Sequence, residues 1–320
     1  MRSRLYAALG IACVAAAPAA AQTVVVTSPG VTTQSGTLPI VGRYSDNYFA
    51  PRNGPKDQWL RQNVGGANST ASVGVSDTYA RSGNGSALMS YTQPSGTTSG
   101  AGKADMEYLF GTSFRLGDLT SLSYDWYRAS GSTTAVHQAP ALRLYIDADG
   151  DENTTNDTGY LVYEQVYNGY PTSGIPPVPV DSWMTSTATL TSGLFWLRII
   201  TAPGTTYEPG GSLFLRTLGQ LAAGENLTTP NHTNFERIDA NSRVLGLSAG
   251  IGSGWSGTQF SGAVDNISLT RNVAGGGSLT TTFNFEVAAS VVPEPSTYAL
   301  MGTGLLGLGG FAARRRRQSA

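Results

Sequence analysis

The chain has 320 residues, of which 40 are glycine, 13% are charged and 9% are aromatic. Intrinsically disordered chains are richer in charge and poorer in aromatic residues, so this composition excludes that class and fits short strands joined by turns. Six of the 20 basic residues lie at the two ends of the chain. The rest of the chain has 14 basic and 21 acidic residues. Its net charge of about −7 argues against nucleic acid as a partner.

The N-terminal residues have the pattern of a secretory signal peptide. Arg2 and Arg4 precede an apolar run from Leu5 to Ala17, and the alanines at 19–21 follow. A charged start, a short apolar middle and an A-x-A sequence are the features that signal peptidase recognises. We therefore predict a signal peptide over residues 1–21.

The remaining chain must fold without covalent cross-links. Cys13, the only cysteine, lies inside the predicted signal peptide, so the mature chain has no disulfide, no thiolate metal site and no cysteine nucleophile. Residues 22–42 are rich in Val, Thr, Ser and Gly, and we interpret them as an extended leader, with an edge strand as the alternative. The predicted ectodomain then spans residues 43–273.

Alternating apolar and polar residues predict strands in this ectodomain. Leu122, Tyr124 and Trp126 fall on one face of such a run, and Ser123 falls on the other. Similar runs lie at residues 142–146, 161–167, 195–200, 213–215, 244–249 and 264–269. No segment between the signal peptide and the C-terminal apolar run shows a long helical period. We therefore expect an all-β fold, an antiparallel two-sheet sandwich of jelly-roll type.

An acidic loop between two of these runs is the best candidate for a metal site. Its oxygen-bearing side chains are Asp147, Asp149, Asp151, Asn153 and Asp157. Carboxylates two residues apart in a tight loop can converge on one hard cation, and calcium accepts such irregular oxygen cages. The loop departs from the EF-hand pattern, because Thr158 stands where a bidentate Glu belongs. The alternative is a solvated acidic hairpin tip.

The five tryptophans offer candidate stacking surfaces for sugars. Trp183 and Trp255 lie near turns and are the better candidates for ligand contact. Trp126 and Trp196 lie inside strong strand runs, where burial in the core is the expected role.

Catalytic machinery is not evident, and we predict a protein that is not an enzyme. His137 and His232 are the only histidines, and neither has the spacing of a metal ligand. A glycosidase needs two facing carboxylates, and no spacing singles out a pair. A secreted polysaccharide hydrolase remains the alternative, with Glu164 or Glu236 as the carboxylates to test.

Residues 274–291 combine a hinge with one more strand. Gly275–Gly277 form the hinge, and the alternation of Leu279–Val287, with Phe283 and Phe285 on one face, predicts a strand that returns to the sandwich.

The C-terminal residues form an ordered set of three parts, which runs from residue 292 to residue 317. The first part is the motif Val292, Pro293, Glu294, Pro295, Ser296. The second is an uncharged run at 298–313, which we predict to be a transmembrane helix. The third is the basic stop Arg314, Arg315, Arg316, Arg317. A helix of 16 residues spans about 24 Å, short of a hydrocarbon core of about 30 Å, so it is a poor permanent anchor. The arginines favour the cytoplasmic side of the inner membrane.

These residues resemble the PEP-CTERM sorting signal of Gram-negative bacteria. The resemblance implies recognition by exosortase, at least transient insertion in the inner membrane, and delivery to the cell surface or extracellular matrix in an exopolysaccharide or biofilm context. Two weaker resemblances concern the ectodomain. The pattern of strand residues and loops from Leu122 to Gly169 is similar to that of ectodomains that carry this signal. Ala263–Ile267 is similar to the closing strand of carbohydrate-binding jelly rolls, in which calcium is often structural.

Three functions follow from these expectations. The first is a non-catalytic structural or carbohydrate-binding surface protein, with exopolysaccharide as its candidate partner. The second is the secreted hydrolase, and the third is an adhesin without affinity for sugars.

Overall fold

The computed structural model describes residues 19–27, 32–33, 55–65, 70–93, 102–154, 157–202, 205–207, 215–225, 238–252, 255, 257–288, 301–306 and 314. The chain divides into two compact units, Met1–Val287 and Ala288–Ala320.

The described part of the first unit is built mainly from strands, which confirms the all-β class. The strands are β1 (Ala20–Thr27), β2 (Thr32–Thr33), β3 (Trp59–Gly65), β4 (Thr70–Ser76), β5 (Ser86–Thr92), β6 (Lys103–Arg115), β7 (Leu119–Arg128), β8 (Ala141–Asp147), β9 (Thr158–Tyr163), β10 (Trp183–Thr189), β11 (Phe195–Ala202), β12 (Thr205–Tyr207), β13 (Arg243–Ile251), β14 (Gln259–Asn272) and β15 (Ser278–Glu286). Helical turns among the described residues of this unit are α1 (Leu218–Ala222) and two 3₁₀ turns, Leu116–Asp118 and Gln165–Tyr167.

The strands form two sheets, as the sandwich prediction requires. The first sheet has the order β1-β15-β14-β5-β4, with β7 pairing both β14 and β10, and the second has the order β12-β11-β9-β8-β13-β6-β3-β2. The pairs are antiparallel except at two N-terminal strands, because β1 lies parallel to β15 and β2 lies parallel to β3.

Two predicted runs differ from the strands observed. The run at 161–167 stops as a strand at Tyr163 and continues as a 3₁₀ turn. Of the run at 213–215, two residues lie outside the described part of the chain, and the neighbouring Arg216 makes only an isolated bridge to Phe195.

The core lies between the two sheets and follows the period-2 pattern. Leu122, Tyr124 and Trp126 are at most 2% exposed. Trp59 on β3 packs edge-on against Phe283 and Phe285 of β15, with ring centroids 5.4 and 5.2 Å apart, which is a favourable geometry for aromatic pairs. Burial of these large apolar surfaces is the main force that holds the sheets together.

Strand β14 organises the first sheet because it has two successive partners along one edge. Gln259–Val264 pairs with β5, Ile267–Asn272 pairs with β15, and β7 runs along the opposite edge. The two partners meet at a bulge where Asn266 adopts a left-handed φ of 49°.

Asp265 stabilises this junction. Its carboxylate is fully buried and accepts hydrogen bonds from the backbone N–H of Phe285 at 2.9 Å and of Ser82 at 3.3 Å. One carboxylate therefore satisfies a donor of the strand that ends there and a donor of the loop that leads into β5. Burial raises the pKa of Asp265 to about 6, although these hydrogen bonds oppose the shift.

The second unit is described at residues 301–306, which are helical, and at Arg314. Within the described residues we find no helix whose length and apolar character would carry it across a bilayer. The predicted signal peptide, for residues 1–18, and most of the predicted C-terminal helix lie outside the described residues.

We predict that Asp265→Asn changes the dependence of stability on pH. The wild-type carboxyl ionises near 3.8 when unfolded and near 6 when folded, so its contribution to stability falls as pH rises through this window. Between pH 4 and pH 7, wild type should lose on the order of 2 kcal/mol relative to the variant, whose amide stays neutral, as measured by urea unfolding. Asp77→Asn, at an exposed position in the β4–β5 loop that contains Ser82, is the control. Parallel profiles for wild type and Asp265→Asn would contradict the assignment.

Candidate ligand-binding and metal sites

The acidic loop joins β8 to β9 and brings three carboxylates together. Each of Asp147, Asp149 and Asp157 places a carboxylate oxygen within 4.8 Å of the other two. Asp147 and Asp157 are fully buried, whereas Asp149 is partly exposed. Three acidic groups this close repel one another, and a hard cation between them would remove that repulsion.

Hydrogen bonds within the loop fix this arrangement. Asp157 accepts from the backbone N–H of Asp149 at 3.0 Å, and Asp147 accepts from that of Gly150 at 2.9 Å. Gly150 has a φ of 83°, and a Cβ there would lie 2.7 Å from the carbonyl oxygen of Asn241. Glycine is therefore required at this turn for both its conformation and its lack of a side chain. Burial raises the pKa of Asp157.

The other two predicted metal ligands lie at the exposed tip of the loop. Asp151 accepts hydrogen bonds from the backbone and side-chain nitrogens of Asn153, at 3.1 and 2.7 Å. Neither residue belongs to the group of three converging carboxylates. The spacing of acidic residues in the sequence does not distinguish a carboxylate that turns inward from one that closes the turn.

A second candidate site is a cluster of rings on the outer face of the first sheet, which we call the aromatic cluster: Tyr79, Tyr127 and Trp183. The Tyr79 ring stacks on Tyr127 with centroids 4.4 Å apart, and Tyr127 lies 5.6 Å from Trp183. Trp183 begins β10 and is paired across the sheet with Tyr127 of β7. All three side chains are half-buried, so part of the cluster faces solvent.

Charged side chains surround the aromatic cluster. The guanidinium of Arg81 lies 6.0 Å from the Trp183 ring and donates to the carboxylate of Asp125 at 3.0 Å. The hydroxyl of Tyr127 donates to the exposed Asp181 at 3.2 Å. Hydrogen bonds from Ser130 lower the pKa of Asp181, so this carboxylate is ionised at neutral pH. The arrangement offers apolar ring surface, a cation and anionic acceptors within one patch.

Most of the remaining tryptophans are structural. Trp59 and Trp126 are 1% exposed. Trp255, which the sequence suggested as a ligand contact, is 9% exposed and packs edge-on against Phe260 with centroids 5.1 Å apart. It belongs to the core, so we leave it out of the candidate site.

The outer face of the second sheet is not an open binding surface at the residues described. Arg143 and Asp105 form an ion pair of 3.0 Å there, with side chains 7% and 1% exposed. Tyr145 and Tyr160 on the same face are 6% and 2% exposed. Period-2 alternation of residues 142–146 puts Arg143 and Tyr145 on the face opposite the core residues of β8, but it does not indicate that they are buried as well.

The candidate catalytic carboxylate Glu164 follows β9. It accepts a hydrogen bond of 2.9 Å from the indole nitrogen of Trp196, and burial raises its pKa. His137 is half-buried, and burial lowers its pKa. Glu236, His232 and the residues Val292 to Ser296 of the sorting motif lie outside the described part of the chain, as do Arg315, Arg316 and Arg317.

Comparison with known proteins adds one family match. Residues 291–317 match the PEP-CTERM protein-sorting motif. A search of curated proteins found no match to the chain.

Several solved structures are similar at low identity. A family 11 carbohydrate-binding module from Clostridium thermocellum, in complex with a β-1,3-1,4-mixed-linked tetrasaccharide, is 15% identical over 69% of this chain and 92% of its own, with a TM-score of 0.34. The family 11 module of the cellulosomal cellulase Lic26A-Cel5E of the same organism is 18% identical over 75% and 96%, with a TM-score of 0.34. An exo-β-agarase is 14% identical over 71% of this chain and 24% of its own, with a TM-score of 0.30. We base no functional argument on similarities this low.

The match at 291–317 confirms the resemblance based on Val292 to Arg317, and it implies an exported protein that is processed on its way to the cell surface. The C-terminal end of this β-sandwich protein is thus a PEP-CTERM sorting motif.

Proposed function

We propose that this chain is a non-catalytic surface or matrix protein, sorted by exosortase, whose β-sandwich binds carbohydrate in an exopolysaccharide or biofilm context. The sorting motif at residues 291–317 carries the proposal, because it addresses the ectodomain to the environment where such polymers are found. The predicted signal peptide and passage through the inner membrane belong to the same route.

The aromatic cluster is the part of the ectodomain best suited to a sugar. Pyranose rings have one face lined by C–H groups, and an amphipathic aromatic ring offers a matching apolar surface. Ligand sites combine such surfaces with a few well-placed polar groups that orient the ligand. Arg81 and Asp181 supply a donor and an acceptor for hydroxyl groups beside Trp183 and Tyr127.

A hydrolase is the second candidate, supported by Glu164. A carboxyl group whose pKa is raised by burial is suited to act as a general acid. We favour the non-catalytic function because the indole of Trp196 already binds this carboxylate and because hydrolysis needs a second, facing carboxylate.

We further propose that the acidic loop holds a structural calcium ion. Asp147, Asp149 and Asp157 supply the hard oxygen donors that calcium prefers, and further oxygens can come from backbone and water. Bound between β8 and β9, the ion would hold the loop closed rather than take part in chemistry.

Sorting can be tested in the native host. Replacing Pro293, Glu294 and Pro295 by alanine should leave uncut chain in the membrane fraction, because the enzyme can no longer read the motif. A strain that lacks exosortase should show the same result with the unaltered chain. Delivery of the altered chain to the surface at the wild-type level would contradict the proposal.

Sugar binding can be tested by retention on the host's own exopolysaccharide. Trp183→Ala should weaken retention at least about tenfold, equivalent to about 1.4 kcal/mol, because it removes one ring face of the cluster. Leu190→Ala, which truncates an exposed apolar residue just after the same strand, should bind like wild type. Equal retention of the two variants would contradict the site. Release of reducing ends that Glu164→Gln abolishes would contradict the non-catalytic function.

Calcium binding can be tested by thermal unfolding with and without a chelator. Wild type should lose several degrees in Tm on chelation, because the ion binds the folded state only. Asp149→Asn should abolish this response, whereas Asp151→Asn, in the same loop but outside the converging group, should keep it. An unchanged Tm on chelation of wild type would contradict a tight structural site.

A further inference from the structure

Strand β1 lies at the edge of the first sheet. It pairs with β15 over its whole length, from Ala20 opposite Leu279 to Thr27 opposite Glu286. On its other side, the part of the chain that the structure describes supplies no strand. Within the described ranges, the outer row of backbone N–H and C=O groups of β1 therefore has no strand partner, which is the condition under which an edge can add another strand.

This edge lacks the features by which soluble proteins guard exposed strands. Such strands usually carry a lysine or another charge, a proline or a bulge. The residues of β1, Ala-Ala-Gln-Thr-Val-Val-Val-Thr, include no charge and no proline. The register with β15 runs without a shift, so no bulge twists the edge away.

The two faces of β1 are unequal, and this fixes how a partner strand must lie. Val26 is 6% exposed and Val24 packs against the core, whereas Val25 points outward and is 56% exposed. Among the strand side chains whose burial the structure describes, Val25 is the one large apolar side chain that is exposed. The other outer strands of the first sheet, β4 and β10, also lack charge but expose no such residue.

We propose that two copies of this chain pair through β1, antiparallel about a two-fold axis, so that their first sheets join into one. A second copy is the fitting occupant because the edge is uncharged in a chain whose body is acidic, so two β1 strands meet without repulsion. A two-fold axis lets the same surface serve both partners and closes the assembly at a dimer.

The alternation of side chains sets the register of this pair. When the two cores lie on the same face of the joined sheet, Val24 and Val26 of both copies point to that face, and a shift of one residue would put the two cores on opposite faces. This condition is met when Val25 lies opposite Val25 of the second copy, with Val24 opposite Val26. A pair of about five residues is short, so the dimer is expected to be weak in dilute solution and favoured where copies are held on one surface.

A cysteine cross-link tests the contact in the full chain, in detergent, with Cys13→Ser as background so that one cysteine is present. Under mild oxidation Val25→Cys should form a covalent dimer. Val136→Cys, 50% exposed in a loop, should form much less under the same conditions. Equal cross-linking of the two variants would overturn the proposal.

A charge on the edge tests the same contact without covalent chemistry. At a protein concentration high enough for wild type to be a dimer, Val25→Lys should shift the mass measured by light scattering from dimer toward monomer. The Tm should be unchanged because the side chain is outside the core. Val136→Lys should leave the mass as in wild type. A mass unaffected by Val25→Lys, or wild-type assemblies larger than a dimer, would overturn the two-fold pairing.

Discussion

The first sheet depends on the way β14 is shared among its neighbours. This strand of 14 residues is bordered on one edge by β7 and on the other by β5 and then β15. Where β5 and β15 meet, the ladder cannot continue from one strand to the next, and the buried carboxylate of Asp265 accepts the N–H groups of Phe285 and Ser82. Burying this acid costs free energy, which is visible as its raised pKa. The cost is offset because the buried N–H of Phe285 and the half-buried N–H of Ser82 would otherwise lack this acceptor.

The same arrangement links the two ends of the ectodomain. Strand β15 lies between β14 and β1, so the first strand of the sheet in sequence can join only after the last one has been placed. Pairings this distant in sequence make folding slow, because the entropy of closing long loops is lost before the contacts form. The matched sorting motif begins at residue 291, just after the unit that ends at Val287. The final strand and the sorting motif are therefore almost contiguous in sequence, and completion of the sandwich uses residues made immediately before the motif.

Local patterns in the sequence predicted the class of fold and seven of its strands (β7, β8, β9, β11, β13, β14 and β15), because period-2 alternation reflects burial on one face. They did not predict which strands are neighbours: the parallel pairing of β1 with β15 depends on residues more than 250 positions apart. The aromatic cluster was not predicted for the same reason, since Tyr79, Tyr127 and Trp183 come from three separate segments. Only Trp183 was predicted as a ligand contact, because it lies near a turn. The acidic loop was visible as spacing, but the direction of each carboxylate is set by backbone turns at Gly150 and Asp151.

The central claim is that the sandwich closes through β15. The most direct measurement compares two chains that begin at Gln22, one ending at Ala288 and one ending at Gly277, by thermal and urea unfolding. The account predicts a single cooperative transition for the longer chain and no cooperative transition for the shorter one, which lacks Phe283 and Phe285 from the core and leaves Asp265 without the N–H of Phe285. Equal midpoints for the two chains would contradict it.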